Sequence, residues 1–149
     1  MKTLARIREL ISEAVYIPLG NLGVLRHHMP QINPKDVPEF LRLLKIRGVR
    51  VEERQIRSNT LKATQKEINQ DHVQDKIRKL KSGEPAKRCL VSSDNYILDG
   101  HHVWLAQLNM NRQSKIDCFW IDLKIEDLLN TAKLFDKVTY KTVNEVKNV

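Results

Sequence analysis

A small mixed β-sheet with helices packed on it, of the α+β kind, is the fold class this sequence predicts. Three observations carry that expectation. Short apolar strands such as Cys89–Ser92 and Ile116–Asp122 are separated by stretches with helical apolar spacing. Turn signals fall between them at Gly48, Gly83, Ser93-Asp94-Asn95 and Gly100. The 149 residues, 41% of them apolar, are enough for one real core and argue against disorder.

Residues 3–15 read as an amphipathic helix, with Thr3 as cap and Leu4, Ile7, Ile11 and Ala14 on one face. Residues 16–34 are punctuated by Pro18, Gly20, Gly23, Pro30 and Pro34. They read as extended loop with a short strand at most, a stretch able to wrap the core or line a site. His27 and His28 sit here and read as surface residues. A second helix follows Asp36-Val-Pro-Glu39, which has capping-box form, with Val37, Phe40, Leu41 and Leu44 buried and Gly48 as terminator. Val49 to Ser58 is charged and weakly alternating, as an edge strand would be.

Thr64-Gln65-Lys66-Glu67 has capping-box form again. Asp71 is then placed to cap a helix through Ser82, with Val73, Ile77 and Leu80 as its apolar stripe. Cys89–Ser92 and Tyr96–Leu98 flank a strong turn and read as a hairpin. The corner Asp99-Gly100-His101-His102 opens a helix whose Trp104 continues its apolar side. Ile116–Asp122 is a strand and Ile125–Phe135 an amphipathic helix. Val138, Tyr140 and Val143 add a short strand or fray. Cys89 and Cys118 lie in strands without C-x-x-C spacing and read as buried thiols. Their sequence separation suggests no disulfide.

The charge is localised. Residues 42–88 hold 14 Lys/Arg against six Asp/Glu, which accounts for the whole net charge of +8. A local basic face suits a polyanion such as nucleic acid, and equally suits solvated helix faces. Lys76, Arg78, Lys79, Lys81 and Arg88 are the nucleic-acid candidates. The N-terminal stretch MKTLARIREL is interrupted by Arg6, Arg8 and Glu9 and resembles neither a signal peptide nor a span. The expectation is a cytoplasmic protein without a membrane partner.

No glycine sits in a Walker A or dinucleotide fingerprint. A nucleotide would therefore need the Asp99–His102 corner, where the N–H groups and dipole of a helix start favour an anion. Gly100 allows the turn, and His101 and His102 can donate to phosphate. Asp99 can hold magnesium, orient His102 or simply cap. Trp104 reads as core rather than as a base-stacking platform.

The segment LVSSDNYILDGHHVWLA resembles the signature of the ParB/sulfiredoxin superfamily, in which a strand ends in a short polar motif opening a helix. Its Asp-Gly-His-His form is similar to the motif of free serine kinases and of phage-encoded ParB-like nuclease domains. LKATQKEINQDHVQDKI resembles their preceding block, and Met29-Pro30-Gln31-Ile32 their phage-type lead-in. The likeness covers roughly residues 49–130. It implies a domain at 49–149 preceded by a helix-loop-helix extension at 1–48.

By that resemblance, Gly100, His101 and His102 bind phosphate with Lys62, Thr64 and Gln65 near them. Glu67, Asp99 and His102 become the catalytic candidates. ATP, ADP or CTP and Mg2+ are the implied cofactors. The relatives' motif continues with arginine where this chain has Val103, so either another base supplies that charge, with Lys62, Lys66 and Arg88 as candidates, or nucleotide affinity is weak. Three functions follow: nuclease-like chemistry on DNA, an ATP- or ADP-dependent kinase of a small-molecule or base hydroxyl, or a non-catalytic DNA-binding module.

Overall fold

The structure is a computed structural model that describes residues 15–141. Its strands and helices, in chain order, are β1 (Asn21–Val24), α1 (Val37–Ile46), β2 (Val51–Arg57), β3 (Ala63–Gln65), α2 (Gln70–Lys81), β4 (Cys89–Ser92), β5 (Ile97–Asp99), α3 (His101–Met110), β6 (Lys115–Ile121) and α4 (Ile125–Lys133). The fold is α+β. A four-stranded sheet runs in the order β2-β6-β4-β5, and β1 pairs with β3 as a separate parallel ribbon. β6 is antiparallel to β2 and parallel to β4, while β4 and β5 form the antiparallel hairpin. Asn95 takes the left-handed turn position between them, at φ 68°.

The period-two pattern of the strands builds two cores, one on each face of the sheet. Val91, Ile97, Ile116, Cys118 and Trp120 point to the side covered by Val73 of α2 and by Trp104, Leu105 and Leu108 of α3. Leu90, Leu98 and Ile121 point to the other side, where Phe40 and Leu44 of α1 meet Leu128 and Ala132 of α4. Residues before position 48 thus share a core with the central strands. α3 is buried almost all round, as its unbroken Val-Trp-Leu-Ala run requires. Trp104 is core, and its Nε1–H donates to the Ser58 carbonyl at 2.7 Å. β2 is an edge strand, as its charge pattern suggested.

Three capping assignments need correction. Asp36 makes no side-chain cap bond, because a 3₁₀ turn at 34–36 runs straight into α1 and holds Asp36 in helical backbone. Asn33 caps that turn, accepting from the Lys35 N–H. Thr64 and Glu67 form no capping box, since Thr64 lies in β3, held by its parallel pairing with β1. α2 begins at Gln70, and Asn69 rather than Asp71 caps it by accepting from the His72 N–H at 3.0 Å.

Most of the helix expected at 3–15, and Val143, lie outside the described residues. Before that limit Thr139 pairs antiparallel with Gln31, which fastens the C-terminal segment to the N-terminal loop. Among the described residues no helix is long and apolar enough to cross a membrane.

Candidate functional site

The corner between β5 and α3 is built around one glycine. Gly100 has φ +104°, a conformation that side-chain-bearing residues rarely adopt. A Cβ there would sit 2.9 Å from the Cys89 sulfur and 3.3 Å from the Cys89 Cα. Gly100, not Asp99, occupies the N-cap position, so Asp99 does not cap the helix in the ordinary way. The Asp99 carboxyl is pushed above the usual carboxylate range by burial. Lys87 and the Gly100 N–H act against that rise.

The two histidines are anchored by the segment that precedes α2. His101 is buried, and its Nε2 accepts from the backbone N–H groups of Thr64 at 3.0 Å and Gln65 at 3.2 Å. His102 Nε2 accepts from the Asn69 N–H at 3.4 Å, and its ring meets the edge of His72. Burial pushes the His101 pKa down to about 3, helped by the charges of His102 and Arg26. Burial likewise takes His102 to about 3, with Arg26, His72 and Lys76 contributing. Both rings are neutral at pH 7, with Nε2 as acceptor, so the donor each retains is Nδ1–H.

Around this corner lies a cleft of about 490 Å³. Asp99, Gly100, His101, His102 and Val103 form part of its wall, with Gln65 beside them. Seven cationic side chains also line it: Arg26 and Lys35 from the loop before α1, Lys76 from α2, Lys87 and Arg88 before β4, and Lys137 and Lys141 after α4. The acids in the lining are Asp36 and Asp99. Arg88 approaches Glu53 at 3.9 Å and Lys137 approaches Glu39, both on the exposed surface where such pairs are weak. The cleft remains strongly cationic.

The structure therefore brings together Gln65, Lys76, Arg88, Asp99, Gly100, His101 and His102, but not every predicted site residue. Glu67 is outside the lining, and its Oε1 accepts from the Arg26 N–H at 2.9 Å. Gln65 Nε2 donates to the Glu67 carbonyl. Lys62 lies over the Tyr96 ring, 4.3 Å from its centroid. Thr64 is fully buried; its N–H binds His101 and its hydroxyl has no partner. Arg78 and Lys79 approach Asp75 on the outer surface of α2, and Lys81 is exposed outside the cleft.

Among the described residues, no group of three or more His, Cys, Asp or Glu side chains is arranged to hold a metal ion.

Arg26, Lys35, Lys87, Lys137 and Lys141 were not singled out from the sequence. Of these, Arg26 lies in the punctuated 16–34 loop, a stretch able to line a site. Sequence also gave no sign that Cys89 and Cys118 are register partners across β4 and β6. Both thiols are free and buried, and their contact together with burial pushes the Cys89 thiol up.

No protein-family model matches the chain, and no solved structure matches it. The chain is similar to an uncharacterized protein of Methanocaldococcus jannaschii, with 28% identity over 137 residues. That alignment covers 88% of this chain and 51% of the relative, so the chain spans about half the length of the curated relative it matches.

Proposed function

We propose that this chain is a ParB/sulfiredoxin-type domain that takes the phosphate of a nucleotide or nucleic-acid strand at the Asp99–His102 corner. One observation carries the reading: seven cationic side chains from four separate segments converge on a cleft walled by that corner. Phosphate oxygens would meet fixed positive charge and the N–H groups of the α3 start in one place. Lys76, Lys87 and Arg88 supply charge where the relatives' arginine is replaced by Val103, which is buried.

The chemistry we assign is nuclease-like cleavage of a phosphodiester. Cations neutralise the phosphate, Asp99 accepts a proton from the water whose oxygen bonds to phosphorus, and the P–O bond to the leaving sugar oxygen breaks as that oxygen takes a proton from solvent. Its raised pKa suits a base better than an ordinary exposed carboxylate would. His102, neutral, is a hydrogen-bond donor rather than a charge. Where Asp99 instead holds a magnesium ion beside the phosphate oxygens, it would supply charge and would not act as the base. The volume of the cleft, about 490 Å³, favours a second reading, a kinase that holds a whole nucleotide.

Calorimetric titration with ATP, ADP and CTP, beside a plasmid-nicking assay with magnesium, tests both. Nicking that disappears in Asp99→Asn supports the nuclease. Nucleotide binding without nicking moves the assignment to the kinase. Absence of both heat and nicking removes the enzymatic readings and leaves a binding module.

A further inference from the structure

A second depression of about 440 Å³ lies beside the cleft, and Pro34 stands on the rim of both. Its floor is apolar, made by Val37, Pro38 and Leu41 of α1 with Phe119 of β6. Its edge carries Arg42 and Lys45, both exposed. The two depressions are joined chemically as well as spatially. Arg88 lines the first, and its guanidinium lies 5.4 Å from the centroid of the partly exposed Phe119 ring in the second.

We propose that the two depressions form one track for a single-stranded oligonucleotide, with a phosphate at the Asp99–His102 corner and the base of the next nucleotide, which a mononucleotide lacks, against Phe119. This rests on the phosphate-binding reading of the cleft. The order of the chemistry supports it: cationic cleft, bridging Arg88, aromatic and apolar floor, then Arg42 and Lys45 for a further phosphate. An unpaired strand offers an alternation of anion and flat apolar face that matches this order. A duplex hides its bases and has no use for the floor. A peptide of acidic residues alone would satisfy the cations but has no ring to set on Phe119.

Fluorescence anisotropy of the full chain with a labelled 5′-phosphorylated hexathymidylate, and competition by thymidine monophosphate, tests the track. The hexanucleotide should bind at least about tenfold tighter than the mononucleotide, since each stacked base and each added phosphate contributes. Phe119→Leu keeps an apolar side chain and removes the ring. It should weaken hexanucleotide binding about fivefold or more and leave the mononucleotide unchanged. The exposed pair Arg42→Gln/Lys45→Gln should do the same and flatten the salt dependence, without threatening the fold.

Hexanucleotide binding that needs Lys87 but is indifferent to Phe119, Arg42 and Lys45 overturns the track and leaves the cleft intact. Hexanucleotide binding indifferent to Lys87→Gln and Lys76→Gln overturns the cleft reading and the track together, as does failure of both probes to bind. Displacement by a poly-glutamate peptide as effective as by unlabelled hexanucleotide overturns the assignment to nucleic acid.

Discussion

Gly100 stands so close to Cys89 that a Cβ at position 100 would meet the Cys89 sulfur at 2.9 Å, in a backbone conformation of φ +104°. The turn that aims the α3 start into the cleft therefore depends on the absence of a side chain twice over. Gly100→Ala should lower stability by ~2–4 kcal/mol, combining backbone strain with overpacking. Urea unfolding measures the loss. A cost below ~1 kcal/mol would mean that the corner relaxes without strain.

The histidines make stability depend on pH. In the unfolded chain their pKa lies near 6.5, and in the fold near 3, so between those values the unfolded state binds more protons. Stability is then complete above about pH 6.5 and falls as the pH drops toward 3. Asp99 works in the opposite direction, because its raised pKa makes the folded state the better proton acceptor in its own range. His101→Gln removes one titrating group and keeps an acceptor for the Thr64 and Gln65 amides. Thermal unfolding between pH 7 and pH 4 should be less pH-dependent in that variant. An unchanged dependence would show that His101 does not titrate on unfolding.

Lys87 is coupled to Asp99 as well as to the cleft's charge. Lys87→Gln should raise the Asp99 pKa further and weaken phosphate binding by roughly three- to tenfold at low salt, less at high salt. Titration of ATP at two ionic strengths reads the second effect. Equal affinity of wild type and variant at low salt would remove Lys87 from the site.

Glu67 holds the N-terminal loop through the Arg26 N–H. Glu67→Ala should cost about 1 kcal/mol, and Glu67→Gln, which retains a carbonyl acceptor, noticeably less. Chemical denaturation of both variants checks this. Equal losses would mean that the carboxylate charge, not its hydrogen bond, stabilises the loop.

Much of this fold can be read locally. Ile116 to Ile121 alternates because β6 separates two cores, and Ile125 to Ala132 repeats helically because one face of α4 meets the sheet. Asp-Gly-His-His is legible for a similar reason: a positive-φ glycine between strand and helix is a local requirement. Capping was less legible. Asp36 has the right neighbours for a cap, but the preceding 3₁₀ turn claims its backbone. Thr64 has them too, but β1, some forty positions earlier, draws it into a strand.

The sequence by itself determined the α+β class, the edge position of β2, the buried course of α3 and the turn at Gly100. Each follows from side-chain size, polarity and period over a few residues. Only the tertiary structure decided what surrounds that turn. It sets Cys89 beside Cys118, turns both histidines into acceptors of backbone N–H groups, and keeps Glu67 out of the cleft. It also gathers Lys35, Lys87, Lys137 and Lys141 around the corner. Those relationships join residues separated by tens of positions, and chain connectivity alone carries no record of which distant cations will share one cleft.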